Sequence, residues 1–357
     1  MKTNIEINAM KKHFLFFEDI SKNEENNNKY KTKIKKYNFY SKNEIIISNI
    51  VKQIPYFSNN YILLHDYDFI NISKISEKSI EKIFLNSNQK YLLFKYNFNF
   101  NNLIEYNDFL YDFTCPKIFI FYIIETFARI LKSLIQLNKN NICFYDLSPK
   151  KILFDMNSRE NPMLYISFLS LHNAKLNEKY IINIIKKTKD FIHKPIEIHV
   201  LFYLIQNDIH TISYSLIEEI TENFIKNLYI LNLFSEKYKE SYKNSCIETL
   251  KKYINKSKSY IIMDILKYHN TWDIYSLSII YLHIIGNICR IFSLRSTFLN
   301  KIVIEFSKNI HPNPLKRDNL SNLLEVFEKL HESQNDWSFV NNIEKNNMQQ
   351  LFAVLKS

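Results

Sequence analysis

The sequence predicts an α+β protein in which a small, strand-rich N-terminal part precedes a larger, mostly helical one. Three observations lead there. Short apolar runs with strand character, Tyr61-Ile-Leu-Leu64 and Tyr91-Leu-Leu-Phe-Lys-Tyr96, fall early in the chain. After Phe100, apolar positions recur at helical spacing over much longer stretches. Beyond Pro195 that spacing continues almost without a break.

Residues 1–40 are mixed, and their polar Asn/Glu/Lys run at 21–30 reads as a loop. Residues 44–54 (EIIISNIVKQI) have helical spacing and stop before Pro55, because proline disfavours helical backbone in the residue preceding it. Helices are expected over 102–113 and 116–138, with Asp112 or Thr114 as caps. Two extended runs follow, 151–155 and 163–168. Ser215-x-x-Glu218 and Ser245-x-x-Glu248 each have the form of a capping box, in which serine and glutamate satisfy opposite orphan amides. No internal repeat is visible.

An apolar share of 46% with 15% aromatics is enough to bury a core and too much for a disordered chain. Cys115, Cys143, Cys246 and Cys289 lie far apart with no CxxC pair, which argues against a disulfide framework or a zinc site and for a reducing compartment. Met1–Met10 is mixed polar, unlike a secretory signal. Residues 117–137 carry Glu125, Arg129 and Lys132, while 274–294 hold His283, Asn287 and Arg290 and suit a helix buried on most sides. The expectation is a soluble, cytoplasmic protein with no membrane partner. The net charge is +11, but the lysines are spread, with short runs only at 31–36 and 186–189. That distribution favours a solvated basic surface over a nucleic-acid interface. His193, His199 and His210 lack metal-ligand spacing, so no metal site is read from them.

The most informative stretch is Asn141-Ile-Cys-Phe-Tyr-Asp-Leu-Ser-Pro-Lys-Lys-Ile-Leu-Phe-Asp155. Phe144-Tyr145-Asp146-Leu147 resembles the H-R-D-L of the protein-kinase catalytic loop. Further on, Ser167-Phe168-Leu169 stands where D-F-G is expected. Lys90–Tyr96 looks like the last strand of a kinase small lobe, and Lys194-Pro-Ile-Glu197 resembles the A-P-E end of an activation segment. Trp272-Asp-Ile-Tyr-Ser-Leu-Ser278 resembles the D-x-W-S-x-G opening of the central helix, and Asn313-Pro-Leu-Lys-Arg317 matches the late segment whose arginine pairs with the A-P-E glutamate. With Glu44 as the helix glutamate of the small lobe, these matches run in the family's order as far as Arg317. The chain also resembles the divergent kinase-like proteins of giant viruses of algae and protists, which likewise carry Glu-Ile-His after the activation segment, here Glu197-Ile198-His199.

The resemblance implies a bilobal protein-kinase-like fold, with a small β-rich lobe over 1–95 and a large helical lobe over 96–357. The 76 residues from Glu197 to Asp273 exceed the family's short connection, so a helical insertion is expected at about 205–268. It implies ATP as nucleotide, Asp146 as catalytic base, Lys33 or Lys35 with Glu44 at the nucleotide site, and Glu197, Asp273 and Arg317 as structural residues. It also implies a viral source, with the host cytoplasm or a virus factory as location. The departures fall on the phosphate chemistry. The chain has one glycine, Gly286, so a Gly-rich phosphate loop has no glycines to build it. Ser167 (or Phe168, in the adjacent register) replaces the D-F-G aspartate, and Lys151 replaces the catalytic-loop asparagine, which removes the Mg²⁺ ligands. Ser148 stands for the loop lysine, and Tyr145 for the arginine that reads a phosphorylated activation segment. Thr188, in Lys186-Lys-Thr-Lys189, offers a hydroxyl for phosphorylation in a pattern too common to be specific. The expectation is a pseudokinase that binds a protein partner. The alternative is an atypical active Ser/Thr protein kinase that uses Asp146 as base, with a protein substrate.

Overall fold

The computed structural model describes residues 5–10, 14–19, 31–70, 89–98, 100–158, 161–294, 297–332 and 345–356, and the polar run at 21–30 lies outside them. Its strands are β1 (Ile5–Met10), β2 (Phe14–Asp19), β3 (Lys31–Lys36), β4 (Tyr61–Ile62), β5 (Leu64–Ile70) and β6 (Tyr91–Tyr96), then β7 (Leu103–Glu105), β8 (Ile142–Cys143), β9 (Ile152–Asp155), β10 (Met163–Tyr165) and β11 (Leu171–His172). The early helices are α1 (Phe39–Val51), α2 (Phe57–Asn60), α3 (Tyr106–Tyr111), α4 (Pro116–Lys139), α5 (Glu178–Lys187) and α6 (Ile196–Gln206). Later come α7 (Tyr214–Asn227), α8 (Glu236–Leu250), α9 (Lys258–Leu266), α10 (Trp272–Ile291), α11 (Phe298–Asn309), α12 (Leu320–Glu332) and α13 (Lys345–Lys356). The fold is mixed α+β, and the chain divides into two compact units: residues 1–105 with 151–170, and 106–150 with 171–357.

Among its described residues the first unit holds two sheets. One is a five-stranded antiparallel sheet in the order β1-β2-β3-β6-β5, with β3 and β6 paired from Lys31↔Tyr96 to Lys36↔Tyr91. The other runs β4-β10-β9-β7, with β10 parallel to β4 and antiparallel to β9. Leu64, Leu92, Phe94 and Tyr96 form one apolar cluster, Ile62, Leu153 and Met163 another, and Tyr165 packs against both. Helix α1 begins five residues before the expected 44, because Asn38 accepts the amides of Tyr40 and Ser41 and Ser41 returns the bond to the Asn38 amide. The expected helix at 102–113 begins instead as strand β7, whose Leu103 faces Asp155 across the ladder. That pairing lies about fifty residues away in sequence, beyond the reach of local spacing.

Among its described residues the second unit is mostly helical, with the short strand pair β8–β11 and isolated bridges from Thr211 to Ser257 and from Ile212 to Ile254. Helix α4 starts with Pro116 at its first turn and takes no side-chain cap, so neither Asp112 nor Thr114 has the expected role. Helix α10 is buried nearly all round. With the preceding short turn it is long and apolar enough to cross a membrane, yet 78% of its most apolar window is buried within the protein. Tyr106, Thr126 and Tyr281 close a buried ring of hydroxyls at 2.9–3.1 Å, which ties α3, α4 and α10 together. Gly286 faces Leu233, whose Cδ1 would lie 2.6 Å from an added Cβ, so glycine lets the Tyr229–Leu233 turn seat against α10.

The interval at about 205–268 is helical through α7, α8 and α9. Its helices are capped by Ser213, Ser235 and Ser257, each accepting the amide three residues on. The capping boxes expected at Ser215 and Ser245 do not form: Ser215 bonds to the Ser213 hydroxyl, and Ser245 lies inside α8, donating to the Ser241 carbonyl.

Candidate functional site

Within the first unit, alternation along β3 puts Lys33 and Lys35 on one face and Ile34 on the other. Of the two candidate lysines, Lys35 reaches Glu44 of α1, Nζ to Oε2 at 2.5 Å. Glu44 is fully buried, and its other oxygen accepts the Tyr96 hydroxyl at 2.7 Å. A buried carboxylate needs such partners, because desolvation otherwise costs several kcal/mol. Burial, with Glu44 beside it, pushes the Tyr96 phenol well above its ordinary range, so the hydroxyl stays a donor.

Lys33 is not in this pair. Its ammonium lies 5.1 Å from the Tyr96 ring centre and 5.7 Å from that of Tyr165. Lys151 lies 4.5 Å from the same Tyr165 ring. The ammonium of Lys35 also sits over Phe94, Tyr96 and Phe168. The Ser167 hydroxyl is turned back into its own chain, where it accepts the Leu169 amide at 3.3 Å. The side chain of that segment that lies against Lys35 is Phe168. Asn43 of α1 holds the segment by donating to the carbonyls of Phe168 and Ser170 at 2.8 and 2.9 Å.

Within the second unit, the loop after β8 is organised by Asp273 at the start of α10. Its two carboxylate oxygens accept the amides of Phe144 and Tyr145 at 2.7 and 2.8 Å. Burial raises the Asp273 pKa against these bonds, which pull the other way. Tyr145 has φ 61°, in the left-handed region. Its hydroxyl bonds Thr188 Oγ1 at 3.0 Å, and its carbonyl accepts the buried ammonium of Lys194, which also lies over its ring. Burial lowers the Lys194 pKa against the attraction of Asp146, Asp190 and Asp273. Asp146 itself is nearly buried, and its amide donates to the Phe144 carbonyl at 2.7 Å. Ser148 is buried beside it in sequence. Thr188 is buried as well and bonded to the Ile184 carbonyl, so its hydroxyl is not presented for phosphorylation.

Glu197 and Arg317 form a bidentate buried pair, Nη1–Oε1 at 2.6 Å and Nη2–Oε2 at 2.9 Å. The guanidinium also donates to Thr271 and to the His311 and Pro312 carbonyls. The sequence reading missed Tyr96, Asn43, Tyr165 and the role of Lys194. Lys194 had one signal, a lysine inside an otherwise apolar Phe-Ile-His-Lys-Pro-Ile run, where a buried cation needs acceptors.

No family model matches the chain, and no curated protein matches it. Among solved structures it is similar to the twitchin kinase region from C. elegans (Fn31-NL-kin-CRD-Ig26), at 12% identity and a TM-score of 0.45. The match covers 96% of this chain and 47% of that one, so the chain spans about half the length of the structure it matches.

Proposed function

We propose that the chain is a kinase-fold protein that has given up metal-assisted phosphoryl transfer and acts by binding a protein partner. Three pairings that the kinase resemblance implies support the fold: Lys35 with Glu44, Asp273 with two loop amides, and Glu197 with Arg317. The observation that carries the loss of transfer is the chemistry at the two metal-ligand positions. Mg²⁺ requires oxygen donors, chiefly carboxylates and water. One position holds the Lys151 ammonium over Tyr165, and the other offers either the Phe168 ring or the Ser167 hydroxyl, which already accepts an amide. These residues do not fit the metal.

A partner surface is available on the added helices, where Tyr214, Tyr260 and Met263 are exposed. A second reading, an atypical active Ser/Thr kinase, is favoured by one observation: Asp146 survives in a loop held by Asp273 and Lys194. The two readings separate in a phosphotransfer assay on wild type and Asp146→Asn, run with ATP and Mg²⁺. No transfer above background is expected. Metal-dependent transfer abolished by Asp146→Asn would establish the active reading instead.

A further inference from the structure

We infer that a cavity within the second unit binds the C-terminal end of an apolar peptide, with the terminal carboxylate at Arg290 and the last amide N–H at Asn287. The inference deepens the proposed function and rests on it only for taking a protein partner as the source of the peptide. The cavity measures about 780 Å³, a size usual for ligand pockets. Ile280, Ile284, Asn287 and Arg290 line it at steps of three or four residues, so one face of α10 runs along it. From Ile280 to Arg290 is about 15 Å of helix, a length that about four or five extended residues span. Two of its walls lie outside the segments that resemble a kinase. The turn at Tyr229–Leu233 belongs to the interval between Glu197 and Asp273, and α13 follows Arg317. Tyr229 sets its ring edge-on to His283 at 4.7 Å, and Leu233 packs against Gly286.

The lining changes character along α10. Ile280, Ile284, Leu233 and Leu355 supply apolar surface. Asn287 is 3% exposed, and its Nδ2 donates to the His283 carbonyl at 2.7 Å, while its Oδ1 has no partner among the described residues. A buried acceptor without a donor is unfavourable, so a ligand N–H is favoured there. Arg290 stands one turn further on, exposed and in no ion pair among the described residues. The last residue of a peptide carries the complement of both groups on a single Cα, an N–H donor and a carboxylate. The described lining also holds Lys150 and Lys356, the latter over the Tyr111 ring, against one carboxylate, Asp190. That balance favours an anion. At the other end Ser276 donates to the His193 carbonyl, a turn before Ile280. Burial brings the His193 pKa down to about 4 and lowers that of His283, so neither imidazole adds charge near neutral pH.

The test is calorimetric titration of the full chain with N-acetylated tetrapeptides of leucine, valine and phenylalanine, each made as the free acid and as the carboxamide. The acids are expected to bind, and the carboxamides about tenfold more weakly, the loss of one charge-assisted contact. Arg290→Gln should weaken the acids to the level of the carboxamides and leave the carboxamides unchanged. Asn287→Ala should abolish the penalty of N-methylating the last amide, and a penalty that persists in it removes Asn287 from the site. Lys301→Gln, exposed on α11 away from the cavity lining, should change nothing. Unliganded melting of each variant checks that it folds. Binding by none of the acids overturns the inference, as does equal binding of acid and carboxamide, or an Arg290→Gln variant that still tells them apart. Each of these outcomes leaves the proposed function standing, because the exposed face of the added helices is untouched by it. Metal-dependent phosphotransfer overturns the proposed function and not this inference.

Discussion

Tyr145 is a bulky residue held at φ 61°, a left-handed backbone that costs roughly 1–2 kcal/mol outside glycine. Its surroundings offset that cost from three sides: Asp273 takes the amide, Lys194 the carbonyl, and Thr188 the phenol. The phenol–Thr188 bond is the uncharged member of these three contacts. Tyr145→Phe removes one buried hydrogen bond and should lower stability by about 1 kcal/mol, read as a shift of the urea midpoint. Arg317→Ala is the harsher change. It leaves Glu197 buried and unpaired, and the expected loss is about 3–5 kcal/mol. A midpoint shift equal to that of an exposed substitution such as Lys301→Ala would contradict this account. Glu197, Asp273 and Arg317 were legible in the sequence only through the ordered motifs that resemble those of protein kinases. The bond from Tyr145 to Thr188 was not legible, because the two lie 43 positions apart in the chain and only the fold brings them together.

Between the loop and α6, the chain is held in part by a histidine whose burial favours its neutral form. His199 donates from Nε2 to the Phe191 carbonyl, and burial brings its pKa down from 6.5 to about 4. The unfolded chain takes up this proton near 6.5 and the folded chain only near 4. Stability is therefore full above 6.5 and falls as the pH drops towards 4, by at most about 3 kcal/mol from this residue. His199→Gln should flatten the dependence of the melting midpoint on pH across that window, and a slope unchanged from wild type would remove His199 as its source. At the other end of the unit, α13 buries Met348, Leu351 and Leu355 and sets Phe352 against Tyr111 and Phe119. Leu351→Ala should cost about 2–5 kcal/mol, as for other fully buried leucines. Helices of this kind were readable from their apolar spacing, but their starts were not. A serine caps when the backbone turns extended at that residue, as at Ser213, Ser235 and Ser257. A glutamate three places on does not bring that about, which is why Ser245 matched the pattern from inside α8.

At the scale of the molecule, what the sequence could not show is how often the chain changes unit. The first compact unit takes residues 151–170 from far along the chain, and the second is interrupted by them. Strand β9 lies against β7, and β10 against β4, so the second sheet closes only when segments about a hundred residues apart are both present. Local spacing carries no information on such pairings, whose closure entropy is offset only once the sheet's apolar face is covered. A fragment of residues 106–357 retains β9 and β10 but loses β4 and β7. It leaves Ile152, Phe154 and Leu164, all fully buried in the whole chain, without the strands that pair beside them. Unpaired edges and apolar faces of this kind promote association. The fragment should therefore bind a hydrophobic dye and elute as soluble aggregate on size exclusion, while the full chain does neither. A monodisperse fragment without dye binding would mean that residues 151–170 fold independently of the first hundred residues, against the pairing seen in the second sheet.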